Sequence, residues 1–199
     1  MNHIYLKEAK NQKHTLEAFD FNGEIRYYVN GKWGRIDDIV TVYDHKGDTI
    51  YQAKQTLLSL FPKFDLTADG KHIANISKHT NFLFPDDPYF TISNFKWKIA
   101  TKSNSMDFQI VHDGSTIGMI QKHLNHGQKV YTVGLNNDQD MPLAALMTII
   151  VDHYGETPEK DPSAVRFISV NGMHYVQLPR SDYFNFSQSL EYSKKDHHS

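Results

Sequence analysis

The stretch that decides the fold is Asp140-Met141-Pro142-Leu143-Ala144-Ala145-Leu146-Met147-Thr148-Ile149-Ile150-Val151-Asp152-His153-Tyr154-Gly155. From Leu143 to Val151 only Thr148 is polar. A helix here has no wet face and must be buried on every side. Asp140 stands where an N-cap belongs, and Pro142 suits a first turn. His153 falls in the last turn, and Gly155 can close the end in a left-handed conformation. The spacing therefore predicts a helix over residues 141–154. The run Ile149-Ile150-Val151 would also suit a strand, but the Leu-Ala-Ala-Leu-Met start and the end signals favour helix. About 13 residues at 1.5 Å each give roughly 20 Å, short of the roughly 30 Å of a bilayer core. The helix belongs inside a protein, so something must surround it.

The surroundings read as strands. Asn22-Gly23, Lys46-Gly47, Asp69-Gly70 and Asp113-Gly114 each separate apolar, β-branched or aromatic runs. Asn-Gly and Asp-Gly mark hairpins because both central residues of a type I′ turn need positive φ. Asn30-Gly31 and Asn171-Gly172 add two more such signals. Isoleucine falls at the third and sixth places after both Gly70 and Gly114, followed by Lys78-His79 and Lys122-His123. The segment after Gly47 keeps Ile50 and Ala53 at those places, with Lys54-Gln55 one place early. Such a unit, strand–turn–strand, cannot bury its apolar face alone. Successive hairpins closed into an antiparallel barrel around the helix satisfy both needs. The expected fold class is therefore mainly β, α+β in detail.

Composition agrees. The chain has 199 residues, 39% hydrophobic and 13% aromatic, with 11 Tyr and 12 Phe. That is enough apolar surface for one core, of a kind that suits pleated surfaces. The formal net charge of −2 argues against nucleic acid as a partner, since phosphate neutralisation needs a basic excess. With no cysteine, disulfides, thiolate zinc sites and cysteine nucleophiles are excluded. Met1 to Lys13 lacks the apolar core of a signal peptide, and no run reads as a transmembrane segment. The expectation is a cytoplasmic protein. Residues 1–155 would form the barrel domain. Residues 156–199 would be an extension with a Pro-rich linker, a hairpin over 165–178 and a polar tail.

This order of elements resembles the tubby C-terminal-like superfamily, and within it the LURP-one-related family, which has bacterial members and is related to the phospholipid scramblases. The residues that carry the likeness are Ile50 to Phe64, with Lys54, Leu57-Leu58-Ser59-Leu60 and Pro62; Asp69-Gly70 with Ile76-Ser77-Lys78; and Asp113-Gly114 with Ile120-Gln121-Lys122. It covers residues 2 to 155. The resemblance implies a closed barrel threaded by the helix at Leu143 to Tyr154. It departs at the chain end, where over forty residues follow the helix.

Candidate chemistry is sparse. His123 and His126 are three apart, so in a strand they face opposite sides, and a metalloprotease His-Glu-x-x-His is absent. Asp138 and Asp140 stand in Asn136-Asn137-Asp138-Gln139-Asp140, which only approximates a calcium loop. Turn and cap roles explain them better, but they are the metal candidates. Lys54, Lys78 and Lys122 recur at similar repeat positions, with Lys63 near the first. They read as edge-protecting lysines or as a cluster for an anionic lipid head group. No nucleophile elbow, phosphate loop or dinucleotide fingerprint occurs, and no cofactor is implied. The expected function is non-enzymatic binding or scaffolding, of an anionic lipid or a protein partner. The alternatives are an enzyme with a loop-borne hydrolytic site and an interaction module acting through the C-terminal hairpin.

Overall fold

The computed structural model describes residues 1–9, 15–33, 38–56, 61–81, 84–101, 107–125, 128–155, 166–170 and 173–177. The expected linker and polar tail, the Leu-Leu-Ser-Leu stretch and His126 lie outside these residues. The alternating runs become strands β1 (Asn2–Glu8), β2 (Thr15–Phe19), β3 (Ile25–Lys32), β4 (Ile39–Asp44), β5 (Thr49–Gln55) and β6 (Lys63–Ala68). They continue as β7 (Lys71–Asn81), β8 (Phe84–Ile92), β9 (Trp97–Thr101), β10 (Asp107–His112), β11 (Ser115–Asn125) and β12 (Gln128–Leu135). Each pairs antiparallel with its neighbours in sequence, and β1 closes on β12 through Asn2↔Leu135 to Lys7↔Val130. These twelve strands form a closed barrel, so the mainly-β expectation holds. A short 3-10 turn (Asp138–Asp140) leads into helix α1 (Met141–Tyr154). Strands β13 (Arg166–Val170) and β14 (Met173–Gln177) pair with each other as a separate two-stranded sheet.

Helix α1 fills the lumen. Every residue from Met141 to Val151 is buried, and the lone hydroxyl, on Thr148, donates to the Ala144 carbonyl at 2.9 Å. That bond lets a polar side chain sit in an apolar interior at little cost. The helix approaches the wall of β3, β4, β5 and β12. There the inward residues include the small Val29, Val40, Val42 and Ala53. The remaining space is taken by larger side chains from the other wall, among them Phe64, Phe90, Trp97 and Phe108. Small residues beside the helix and large ones from the other wall share out the lumen, as close packing of an interior demands.

The turns are of two kinds. Asp69 (φ 50) with Gly70 (φ 70), and Asp113 (φ 47) with Gly114 (φ 80), have the paired positive φ that Asp-Gly predicts. Asn22-Gly23 and Lys46-Gly47 differ, because only the glycines have positive φ. There the preceding aspartate organises the loop. Asp20 accepts from the N–H groups of Asn22 (2.9 Å) and Glu24 (3.0 Å), and Asp44 does the same for Lys46 and Asp48.

Three local expectations are corrected. Asn30-Gly31 is no turn but part of β3, where the Trp33 ring lies over Gly31; a Cβ there would fall 2.9 Å from that ring. Asp140 occupies the N-cap position without capping, since its backbone is already helical and its carboxylate accepts instead from the Asn137 amide at 2.9 Å. Gly155 is extended (φ −78), not left-handed. It is needed because a Cβ would overlap the Val151 carbonyl oxygen and press on the Phe108 ring.

Candidate functional site

Up-and-down connectivity sorts the connections by barrel end. The turns after β2, β4, β6, β8 and β10 lie at one end, where α1 begins; α1 finishes at the other. Lys54, Lys78 and Lys122 lie toward the ends of β5, β7 and β11 and Lys63 starts β6, so all four sit toward the end where α1 finishes.

Register then splits them. Lys54 pairs opposite Asp65 and Lys63 opposite Ser77, at outward positions alternating with buried Ala53 and Phe64. Lys78 lies opposite Phe90 and Lys122 opposite Tyr131, both of whose partners are buried core residues, so these two lysines share the inward parity. Lys54 is exposed, Lys63 and Lys78 are half-buried, and exposed Phe61 precedes Lys63 by two residues.

Lys122 has a different task from the other three. Its side chain is 9% exposed, and its Nζ lies 2.7 Å from Oδ1 of Asp152, itself 14% exposed, in the last turn of α1. Lys129 Nζ donates to Oδ2 of the same carboxylate at 2.9 Å. A carboxylate at a helix C-terminus opposes the helix dipole. Burial alone would push the Asp152 carboxyl up, yet the hydrogen bonds and charges of the two lysines hold it below its ordinary value. Burial first, then Asp152, raises the Tyr131 hydroxyl. The cluster latches α1 to β11 and β12. Sequence reading missed Asp152; the signal was a carboxylate in the last turn of an otherwise apolar helix.

A second set of contacts holds the helix end from the opposite side. His153 stacks on Trp33 (ring centroids 3.8 Å apart), and the Tyr154 hydroxyl donates to the buried carboxylate of Asp38. The Tyr154 ring also meets Phe64 edge-on at 5.5 Å. Burial and then Asp38 push the Tyr154 hydroxyl up.

The metal candidates are otherwise engaged. Asp138 pairs with Arg26 at 3.1 Å, a cation where calcium would need a free oxygen. Asp140 accepts from Asn137. No group of three His, Asp or Glu able to hold a metal ion occurs among the described residues. His123 lies on β11 opposite Val130, at an outward position that is nonetheless covered. Burial lowers its pKa to about 4.

That shift makes a pH prediction. The unfolded chain takes up a proton near pH 6.5, whereas folded His123 resists it down to about 4. Stability from this residue is complete above about pH 6.5 and falls as acid is added. Between pH 7 and pH 4.5 the wild type should lose about 2–3 kcal/mol more than His123→Gln, read from urea midpoints. Parallel losses in the two proteins would contradict a buried neutral imidazole.

No helix among the described residues is long and apolar enough to cross a membrane. A model of the LURP-one-related family matches residues 3–152. A Bacillus subtilis (strain 168) protein described as uncharacterized protein YxjI is 25% identical over 142 residues, covering 70% of this chain and 85% of that protein. No solved structure matches. The match takes in all twelve barrel strands and nearly all of the lumen helix, so the chain belongs to the LURP-one-related family.

Proposed function

We propose that the protein is a non-enzymatic binding or scaffold protein that offers the α1-finishing end of its barrel to anionic phospholipid head groups. The observation that carries this reading is that Lys54 and Lys63 both face outward on adjacent strands at this end, with exposed Phe61 two residues before Lys63. Cationic side chains around an exposed aromatic ring suit a surface that is negative outside and apolar beneath. Lys78 sits toward the same end, while Lys122 is committed to Asp152. The opposite end carries Asp20, Asp44, Asp48, Asp69, Asp113 and Asp138 around its turns and would turn away from such a surface. The filled lumen supports the non-enzymatic part, since small-molecule catalysis favours a deep concave site.

Vesicle co-sedimentation tests it. Full-length protein should pellet with phosphatidylcholine vesicles containing phosphatidylglycerol and stay in solution with phosphatidylcholine alone. At about 1 kcal/mol per lysine near the surface, Lys54→Glu with Lys63→Glu should weaken binding at least tenfold. Equal recovery with both vesicle types would end the proposal.

A further inference from the structure

In a closed barrel the residues that alternate with the lumen side chains face outward, and on most of the wall they are wet. Lys54, Asp65 and Lys98 are exposed in this way. The wall made by β1, β11 and β12 breaks the pattern. Tyr5 pairs opposite Thr132, and Val130 opposite His123, all at outward positions. Yet Tyr5 is 7% exposed, Val130 2% and Thr132 1%. Thr132 Oγ1 and His123 Nε2 are buried and have no hydrogen-bond partner among the described residues. Burial raises the Tyr5 hydroxyl and lowers His123, as it does for groups withdrawn from water. Outward Thr15 and Thr41 are also dry, at 4% and 5%, but here Tyr5, Thr132 and Val130 lose water together on adjoining strands, so the wall has a cover.

We infer that residues 156–199 of the same chain dock across the outer face of β1, β11 and β12, with the β13–β14 hairpin packed face to face on the barrel. Three observations choose this occupant. The chain leaves α1 at the barrel end that also carries Lys122 of β11 and Lys129 of β12, both tied to Asp152, and Gly155 abuts Phe108 of β10, the strand next to β11. A wall about 27 Å long, set by the eight residues of β12, is within easy reach of the segment that follows. A lone two-stranded hairpin is marginal in water, so β13–β14 needs a surface to lie on. The barrel has no open edge to accept strands, which leaves face-on packing. The match to the family model ends at residue 152, so the cover is an addition to the shared barrel rather than part of it.

The cysteine-free sequence makes the test clean. Thr132→Cys in the full-length chain should react with a soluble thiol reagent at least about a hundredfold more slowly than Asp65→Cys, because labelling waits for the cover to open. Val130→Cys is the second probe, should Thr132→Cys fold poorly. Phe167 pairs with Val176 and Ile168 with Tyr175, two successive pairs of the hairpin register. Converting one pair to aspartates, Phe167→Asp with Val176→Asp or Ile168→Asp with Tyr175→Asp, should speed labelling at least tenfold while the barrel stays folded by circular dichroism. Labelling of the parent as fast as at Asp65→Cys would overturn the inference. So would protection that survives both double variants, which would assign the cover to the barrel's own loops. Protection that vanishes on dilution as a dimer dissociates would assign it to a second copy.

Discussion

Thr148→Lys should leave no cooperatively folded protein at 25 °C, whereas Thr148→Val should unfold within about 1 kcal/mol of the parent. Thr148 is fully buried in the lumen, with strands around it and apolar helix residues above and below. Its hydroxyl bonds only to the Ala144 carbonyl, which the helix backbone already engages. Valine keeps the shape and loses one redundant hydrogen bond. Lysine brings an ammonium with no partner and no route to water, a cost of several kcal/mol that takes most of a typical 5–15 kcal/mol stability. Circular dichroism melting curves of the two variants check the pair. A Thr148→Lys protein with a near-normal midpoint would mean that α1 can leave the barrel without unfolding it.

The second large effect belongs to Asp152. Asp152→Ala should cost about 3–5 kcal/mol, because it strands the Lys122 ammonium in a site where that side chain is only 9% exposed. Lys129→Ala should cost no more than about 1 kcal/mol, since Lys129 is 41% exposed and water screens its share. Replacing both members of the buried pair, as Asp152→Leu with Lys122→Met, should recover most of the loss by removing the stranded charge. Urea titrations of the four proteins decide this. If the double variant were no better than Asp152→Ala, the lysine would not be the source of the cost.

Much of the architecture was legible from chemistry carried by neighbouring residues. The helix could be read because Leu143 to Val151 offers no polar face, which excludes a surface position whatever surrounds it. The turns at Asp69-Gly70 and Asp113-Gly114 were legible because positive φ is a demand on the turn residues themselves. Asn30-Gly31 misled because its glycine answers to Trp33 lying over it, a contact that no turn pattern encodes. The closure of β1 on β12 was equally hidden, for nothing in Asn2 to Glu8 names Gln128 to Leu135 as its partner. The lysines show both limits together. Repeat spacing grouped Lys54, Lys78 and Lys122, with Lys63 near the first, but register decides that Lys54 and Lys63 point outward and that Lys122 meets a carboxylate instead of solvent. Asp152 was illegible as a latch because its two cations come from strands that lie 23 and 30 positions upstream.

The order of elements along the chain has a consequence for biosynthesis. The filler is made after its whole wall: α1 follows all twelve staves, and the first stave must wait for the twelfth before the seam can join. A ribosome therefore releases more than a hundred residues of sticky, unsupported hairpins before the plug arrives. Contacts that far apart make assembly slow and expose the nascent chain to aggregation. Stalled chains ending before residue 141 should be chaperone clients and protease-sensitive, and resistance should appear in a single step once Tyr154 clears the exit tunnel.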